Sequence, residues 1–234
     1  MIEKTLKTTQ GRLNVKIPTH LSEITIGQMM DLQENPMLND LGAISILSDI
    51  PLTELQNISD IAQLQQFAEP VLALSHQIKY LYNSDNIPKK ITFSSPGKKE
   101  VTVKVISNLS VEPAGAFMAA RDIIADEING HIEQYGQEHW QAHFNPSLKA
   151  CCQVLAHYFF CRVTGKKYNE YEVDEFYNDI KQLRVTEALP VAKHFFTCYP
   201  SLLKPKAGCF QRIQQRWKKR LASSRSKNLS TSIQ

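Results

Sequence analysis

Five cysteines and seven histidines are the residues of this 234-residue chain whose types could bind a metal or attack a substrate. Cys151, Cys152, His157 and Cys161 fall in one run, and His157 and Cys161 stand at i, i+4, on one face of a helix. Structural zinc sites use paired Cys-x-x-Cys knuckles, which this run lacks. Small cysteines in an apolar run behave as hydrophobes, so neither a metal site nor a cofactor is expected here. His139 and His143 are a second i, i+4 pair, but Trp140 follows the first, where a zincin carries its general-base Glu. That pair reads as surface or helix-end histidines. A catalytic dyad on Cys152 or Cys161 would need an exposed thiol in an electropositive setting, and the surrounding apolar residues predict the reverse. Cys198 and Cys209 complete an odd, irregularly spaced set. With no apolar leader segment in the opening MIEKTLKTTQGR, free thiols in a reducing cytoplasm are expected.

Phosphate-cradling signatures are missing: neither Gly-x-x-x-x-Gly-Lys-Ser/Thr nor Gly-x-Gly-x-x-Gly occurs. Carboxylate pairs such as Asp126/Glu127 and Asp174/Glu175 are sequence neighbours, so on a helix they point apart and read as solvated faces. The residue chemistry therefore predicts no catalytic residues and a protein that is not an enzyme.

Charge is the most uneven property of the chain. Residues 1–187 hold all 23 acidic residues against 17 basic ones, a net −6, while residues 188–234 hold ten basic residues and no acidic one. Eight of those ten lie between Lys206 and Lys227. Within that stretch Phe210, Ile213, Trp217 and Leu221 form a narrow apolar seam at i, i+3, i+7 and i+11, surrounded by Arg212, Arg216, Lys218, Lys219 and Arg220. A basic amphipathic helix of this kind can dock in a partner's groove, rest on its own acidic body, contact nucleic-acid phosphates or lie on an anionic membrane. No apolar run approaches the roughly 20 residues of a membrane span.

The elements that position these residues follow from periodicity. Residues 12–17 alternate as a half-buried strand, and the runs 90–94 and 101–105 flank a Pro-Gly turn as a hairpin. A hairpin alone is marginal in water, so a three-stranded antiparallel sheet of these segments is expected. Thr25 and Gln28 stand at capping-box spacing before a short helix that Pro36 closes. Leu41, Ile44 and Leu47 mark a second helix, and residues 59–82 a longer one with a break at Pro70. After Ser110 the pattern is helical throughout. Residues 148–164 are apolar almost all round, which predicts a central buried helix ended by Gly165. A last helix runs from Glu187 to Tyr199 with Pro190 in its first turn. The expected fold is α+β and mostly α: a mixed region 1–109 containing the hairpin 90–105, a helical region 110–204, and the basic amphipathic tail 205–234.

Two stretches resemble proteins of the tail-assembly region of tailed bacteriophages, the chaperone-like partners of the tape-measure protein. The first is 17–32, where an extended segment meets Ile24-Thr25-Ile26-Gly27-Gln28 and a helix. The second is 152–196: an apolar helix, the turn Gly165-Lys166-Lys167-Tyr168, an acidic helix and a helix ending in Phe195-Phe196. The resemblance implies a non-enzymatic assembly chaperone or virion structural protein in the cytoplasm of a bacterial host, retained or not in the virion. Its partner would be a tape-measure or other phage structural protein. The implied contact residues are the tail seam and exposed apolar positions of the early helices such as Met29, Met30 and Met37, since Met suits adaptable contact surfaces, although core filling is the commoner role for any single one. The alternative is a nucleic-acid-binding accessory protein that uses the basic tail.

Overall fold

The structure is a computed structural model and describes residues 1–35, 38–59, 61–78, 80–83, 86–94 and 99–198. The chain divides into two units, Met1–Pro200 and Ser201–Gln234. The second lies outside the described residues, together with Met37 and the hairpin turn at 95–98.

Strand β1 (Ile2–Thr8) pairs antiparallel with β2 (Gly11–Ile17), with Leu6 opposite Leu13. Two residues connect them, and Gly11 leaves that turn at φ +143°, a value glycine adopts freely. The hairpin is formed by β3 (Lys90–Phe93) and β4 (Val101–Lys104), again antiparallel. These are two separate two-stranded sheets. The expected three-stranded sheet is thus corrected: β2 pairs with its immediate predecessor instead of with the distant hairpin. A two-residue connection closes at far less entropic cost than a loop of some seventy residues. Only Leu6 of β1 is fully buried, so its alternation is too weak to read as a strand.

What the β3–β4 hairpin lacks in strands it gains from a helix. Ile91, Phe93 and Val103 are buried, and the Phe93 ring meets Phe159 edge-on at a 5.1 Å centroid distance. Packing against a helix supplies the third layer that an isolated hairpin needs.

Between the sheets lie α1 (Ile26–Glu34), α2 (Asp40–Ser48), α3 (Leu52–Leu55), α4 (Ile61–Gln65) and α5 (Ala68–Ile78). The expected long helix over 59–82 is two, with Pro70 in the first turn of α5, where a missing N–H costs no helical bond. After β4 come α6 (Ala114–Tyr135), α7 (Leu148–Thr164), α8 (Glu170–Lys181) and α9 (Val185–Cys198). Helix α9 starts two residues earlier than its sequence signal, so Pro190 is inside it and not in its first turn.

Helix α7 is the centre. Ten of its residues are buried, from Leu148 through Phe160, and it packs against α1, α6, α8, α9 and β4. Ser147 caps its start by accepting from the Ala150 N–H at 3.2 Å, and Gly165 ends it in the left-handed conformation at φ +67°. Residues before and after position 110 therefore share one core within the unit Met1–Pro200. No helix among the described residues is long and apolar enough to cross a membrane.

One ion pair sits at the edge of this core. The Arg162 guanidinium donates through Nε (2.6 Å) and Nη2 to one oxygen of Glu112, whose side chain is only 3% exposed. Replacing one partner of a buried pair strands the other charge. Arg162→Met is expected to destabilise by about 1–3 kcal/mol in urea unfolding, and Arg162→Met with Glu112→Leu by clearly less than that.

Candidate functional site

The cysteine run lies where its apolar surroundings placed it. Cys151 and Cys152 have no exposed surface, and burial pushes the Cys152 thiol up to about 12 and that of Cys151 well above its usual value. Cys161 is half-buried and also raised by burial. Burial thus favours the protonated thiol at all three positions. His157 is committed elsewhere: its Nδ1 stands 3.0 Å from the Tyr168 hydroxyl, and burial lowers its pKa. The Tyr168 ring lies over Gly115 of α6, so close that a Cβ there would meet it at 2.8 Å. His139 precedes a short 3₁₀ turn, and His143 stacks on Tyr135 at 4.9 Å. Among the described residues no group of three or more His, Cys, Asp or Glu side chains could hold a metal.

Sequence reasoning missed one thiol–imidazole pair, Cys198 with His194 on α9, although their i, i+4 spacing was there to see. Cys198 is exposed, and its sulfur lies 3.5 Å from Nδ1 and 3.6 Å from Nε2. Near-equal distances put the sulfur off the in-plane axis of either nitrogen, where a lone pair would take its proton. Nε2 is within 3.2 Å of the Ser107 carbonyl as well. The pair is a contact, not an aligned nucleophile and base.

Methionines 29 and 30 correct the expectation that they are exposed contact residues. They are 0% and 6% exposed. The Met30 sulfur accepts from Cys152 Sγ (3.7 Å) and from the Tyr177 hydroxyl (3.9 Å), which ties α1 to α7 and α8. Both methionines fill the core. Exposed apolar side chains lie elsewhere: Tyr80, Val111, Met118 and Tyr171 are at least half exposed. The tail residues Phe210, Ile213, Trp217 and Leu221, and Arg212, Arg216, Lys218, Lys219 and Arg220, lie outside the described residues.

A recess of about 410 Å³ opens where α1 and α9 begin side by side. The chain builds it by crossing two connections. Ile26 N–H donates to Leu183 O, and Val185 N–H donates to Ile24 O, both at 2.9 Å. Gly27 permits the approach, since a Cβ there would lie 3.1 Å from Lys181 Cβ and 3.2 Å from Lys181 O. Gln28 serves two helices at once. Its Oε1 accepts from the Thr25 N–H at 3.1 Å, completing the capping box of α1. Its Nε2 donates to Ile46 O and Leu47 O, at the end of α2, at 3.2 and 3.3 Å. Lys16, Glu23, Asp49, Arg184 and Glu187 bring charge of both signs to the walls.

Several of those charges have partners. The amino group of Met1 donates to Glu23 at 2.6 Å, and with the Thr19 N–H it holds the Glu23 carboxyl down to about 2. Arg184 donates to the Glu23 carbonyl, and Lys16 pairs with Glu3 at 3.1 Å. No cysteine or histidine lines the recess. Its chemistry is that of a polar junction that locks two parts of the chain, and it aligns no nucleophile with a base. Comparison with protein-family models, with curated proteins and with solved structures finds no match to this chain.

Two measurements check these assignments. Under native conditions Cys198 is expected to alkylate readily, whereas Cys151 and Cys152 react on the order of a hundredfold or more slowly until the protein is unfolded. Mass spectrometry of the modified peptides reads this directly. Gln28→Glu keeps a capping-box acceptor but turns a carboxylate toward two carbonyls and Asp49. It is expected to cost about 1–3 kcal/mol at pH 7. Because the new carboxyl has a raised pKa in the folded state, the penalty is full above that pKa. It fades, relative to the native sequence at the same pH, as pH falls toward about 4.3, the unfolded value.

Proposed function

We propose that this chain is a non-enzymatic assembly or virion structural protein of a tailed bacteriophage that acts through protein–protein contacts, in its most specific form a tail-assembly chaperone. The observation that carries the reading joins the two stretches of the resemblance. Residues 17–32 and 152–196 are far apart in the chain, yet they bond reciprocally at Ile24, Ile26, Leu183 and Val185 and meet again at Met30, Cys152 and Tyr177. The resemblance thus follows one packed module and not two unrelated helix caps. Supporting it further, the cysteine, histidine and recess sites among the described residues hold no aligned nucleophile and base, while the tail sequence carries an apolar seam suited to a partner's groove.

In this reading the protein works in the cytoplasm of the bacterial host and can remain in the virion. Its partner is the tape-measure protein or another phage structural protein. Phe210, Ile213, Trp217 and Leu221 form the contact seam. Met29 and Met30 lie in the core of the unit Met1–Pro200 and are not part of the contact surface.

Co-expression with the tape-measure protein encoded in the same genome tests the proposal. The full chain is expected to raise the soluble yield of that protein several-fold and to co-elute with it. Removal of 205–234, or Trp217→Ala with Phe210→Ala, is expected to abolish both effects. No change in solubility and no co-elution would refute the reading. The net charge of +10 after residue 187 favours the second reading, nucleic-acid binding. That reading expects binding to a duplex whose affinity falls steeply with salt, by a slope near −0.9 per phosphate neutralised. It also expects replacement of Arg212, Arg216, Lys218, Lys219 and Arg220 by Gln to remove binding.

A further inference from the structure

Residues 105–112, which lead from β4 to α6, are attached to the rest of the fold in an unusual way. They cross the ends of α7 and α9, yet Ile106 and Val111 are 39% and 53% exposed, and Ser107 and Asn108 are exposed as well. Leu109 is the one apolar side chain of the segment that is fully buried. Polar groups do most of the fastening. The Tyr158 hydroxyl bonds both the N–H and the carbonyl of Ile106, each at 2.7 Å. His194 approaches the Ser107 carbonyl, and Arg162 holds Glu112. Tyr158 and Arg162 stand one helical turn apart on α7, with the guanidinium carbon 4.9 Å from the centre of the Tyr158 ring.

Beneath this fastening is an aromatic cluster. The Tyr158 ring has no exposed surface and meets Phe159 at 4.5 Å and Phe195 at 4.8 Å. Segments with few buried apolar contacts are the ones that open below the free energy of global unfolding. Hydrogen bonds and a buried ion pair contribute little net stability, because water satisfies the same groups after release. The segment also bonds the hairpin's flank, where the Val105 N–H donates to the Lys89 carbonyl at 3.0 Å, and its residues 109–111 touch α6. Strand β4 and helix α6 nonetheless have their own contacts with α7, and Phe93 of β3 packs on Phe159, so both neighbours keep a hold on α7 when the segment leaves.

We propose that residues 105–112 form a latch that opens as a unit while α6, α7 and α9 stay folded, with Tyr158 and Arg162 as its fasteners. Opening uncovers the aromatic seam of Tyr158 and Phe195 between α7 and α9. The inference stands independently of the phage reading.

Native-state hydrogen exchange tests it on the intact chain. The reporter is the Glu112 amide, which donates to the Leu109 carbonyl at 3.0 Å and takes no part in the Tyr158 hydrogen bonds at Ile106. In the native sequence Glu112 is expected to exchange with little dependence on urea, whereas Leu155 in α7 shows the full slope of global unfolding. Tyr158→Phe, which keeps the ring and removes two hydrogen bonds, is expected to speed Glu112 about tenfold at low urea. Ile128→Val in the core of α6 is expected to speed Leu155 and leave Glu112 unchanged. The latch is overturned if Glu112 and Leu155 share one urea slope, if Ile128→Val speeds both alike, or if Tyr158→Phe leaves Glu112 unaltered. The native-sequence measurement decides the first point even if a variant fails to fold.

Discussion

A helix that is apolar almost all round leaves solvent only a narrow stripe, on α7 Lys149, Gln153 and His157, and that constraint falls on everything around it. Its ten buried residues must be covered from several directions, and no single neighbour can do this. Helices α6, α8 and α9 close three sides, α1 another, and the β3–β4 hairpin brings Phe93 against Phe159. At about 25 cal/mol per Å² of apolar surface, covering such a helix outweighs the local preferences of the segments recruited to do it. That is why the chain before position 110 and the chain after it share one core, although their sequence patterns differ.

Burial on this scale raises the problem of polar groups at the margin, and a few side chains solve it by serving two masters each. Gln28 caps α1 and the end of α2. Gln77 receives the Leu21 N–H and donates to the Thr19 carbonyl, both at 3.2 Å, pinning the extended entry to α1 against α5. Tyr158 does the same for Ile106. A buried polar atom without a partner costs more than a made hydrogen bond returns, so bifunctional amides and hydroxyls hold the connections together. The same logic explains the thiols: Cys151 and Cys152 are covered as if they were small aliphatic residues, and their ionisation is suppressed accordingly.

Charge divides the chain unevenly. The recess beside α1 and α9 draws charges of both signs from distant segments. The ten basic residues after position 187 have no acidic neighbours in sequence, and their apolar seam is spaced for one helix face.

Much of this was legible in residue order. The capping box at Thr25, the buried helix ended by Gly165, the hairpin strands and the mostly helical second half are local patterns, set by capping, turn chemistry and period. They depend on neighbours only a few positions away. Partnership between distant segments was not legible. Strand β1, with only Leu6 buried, carries too little alternation to announce itself, and β2 took it as partner because the connection is two residues long. Met29 and Met30 look alike as contact or core residues until α7 and α8 are seen to cover them. The reciprocal bonds of Ile24 and Ile26 with Leu183 and Val185, and the hold of Tyr158 on Ile106, join positions whose spacing in the chain encodes nothing about their distance. Period and capping specify an element; only the demand that every apolar face find a cover specifies which elements meet.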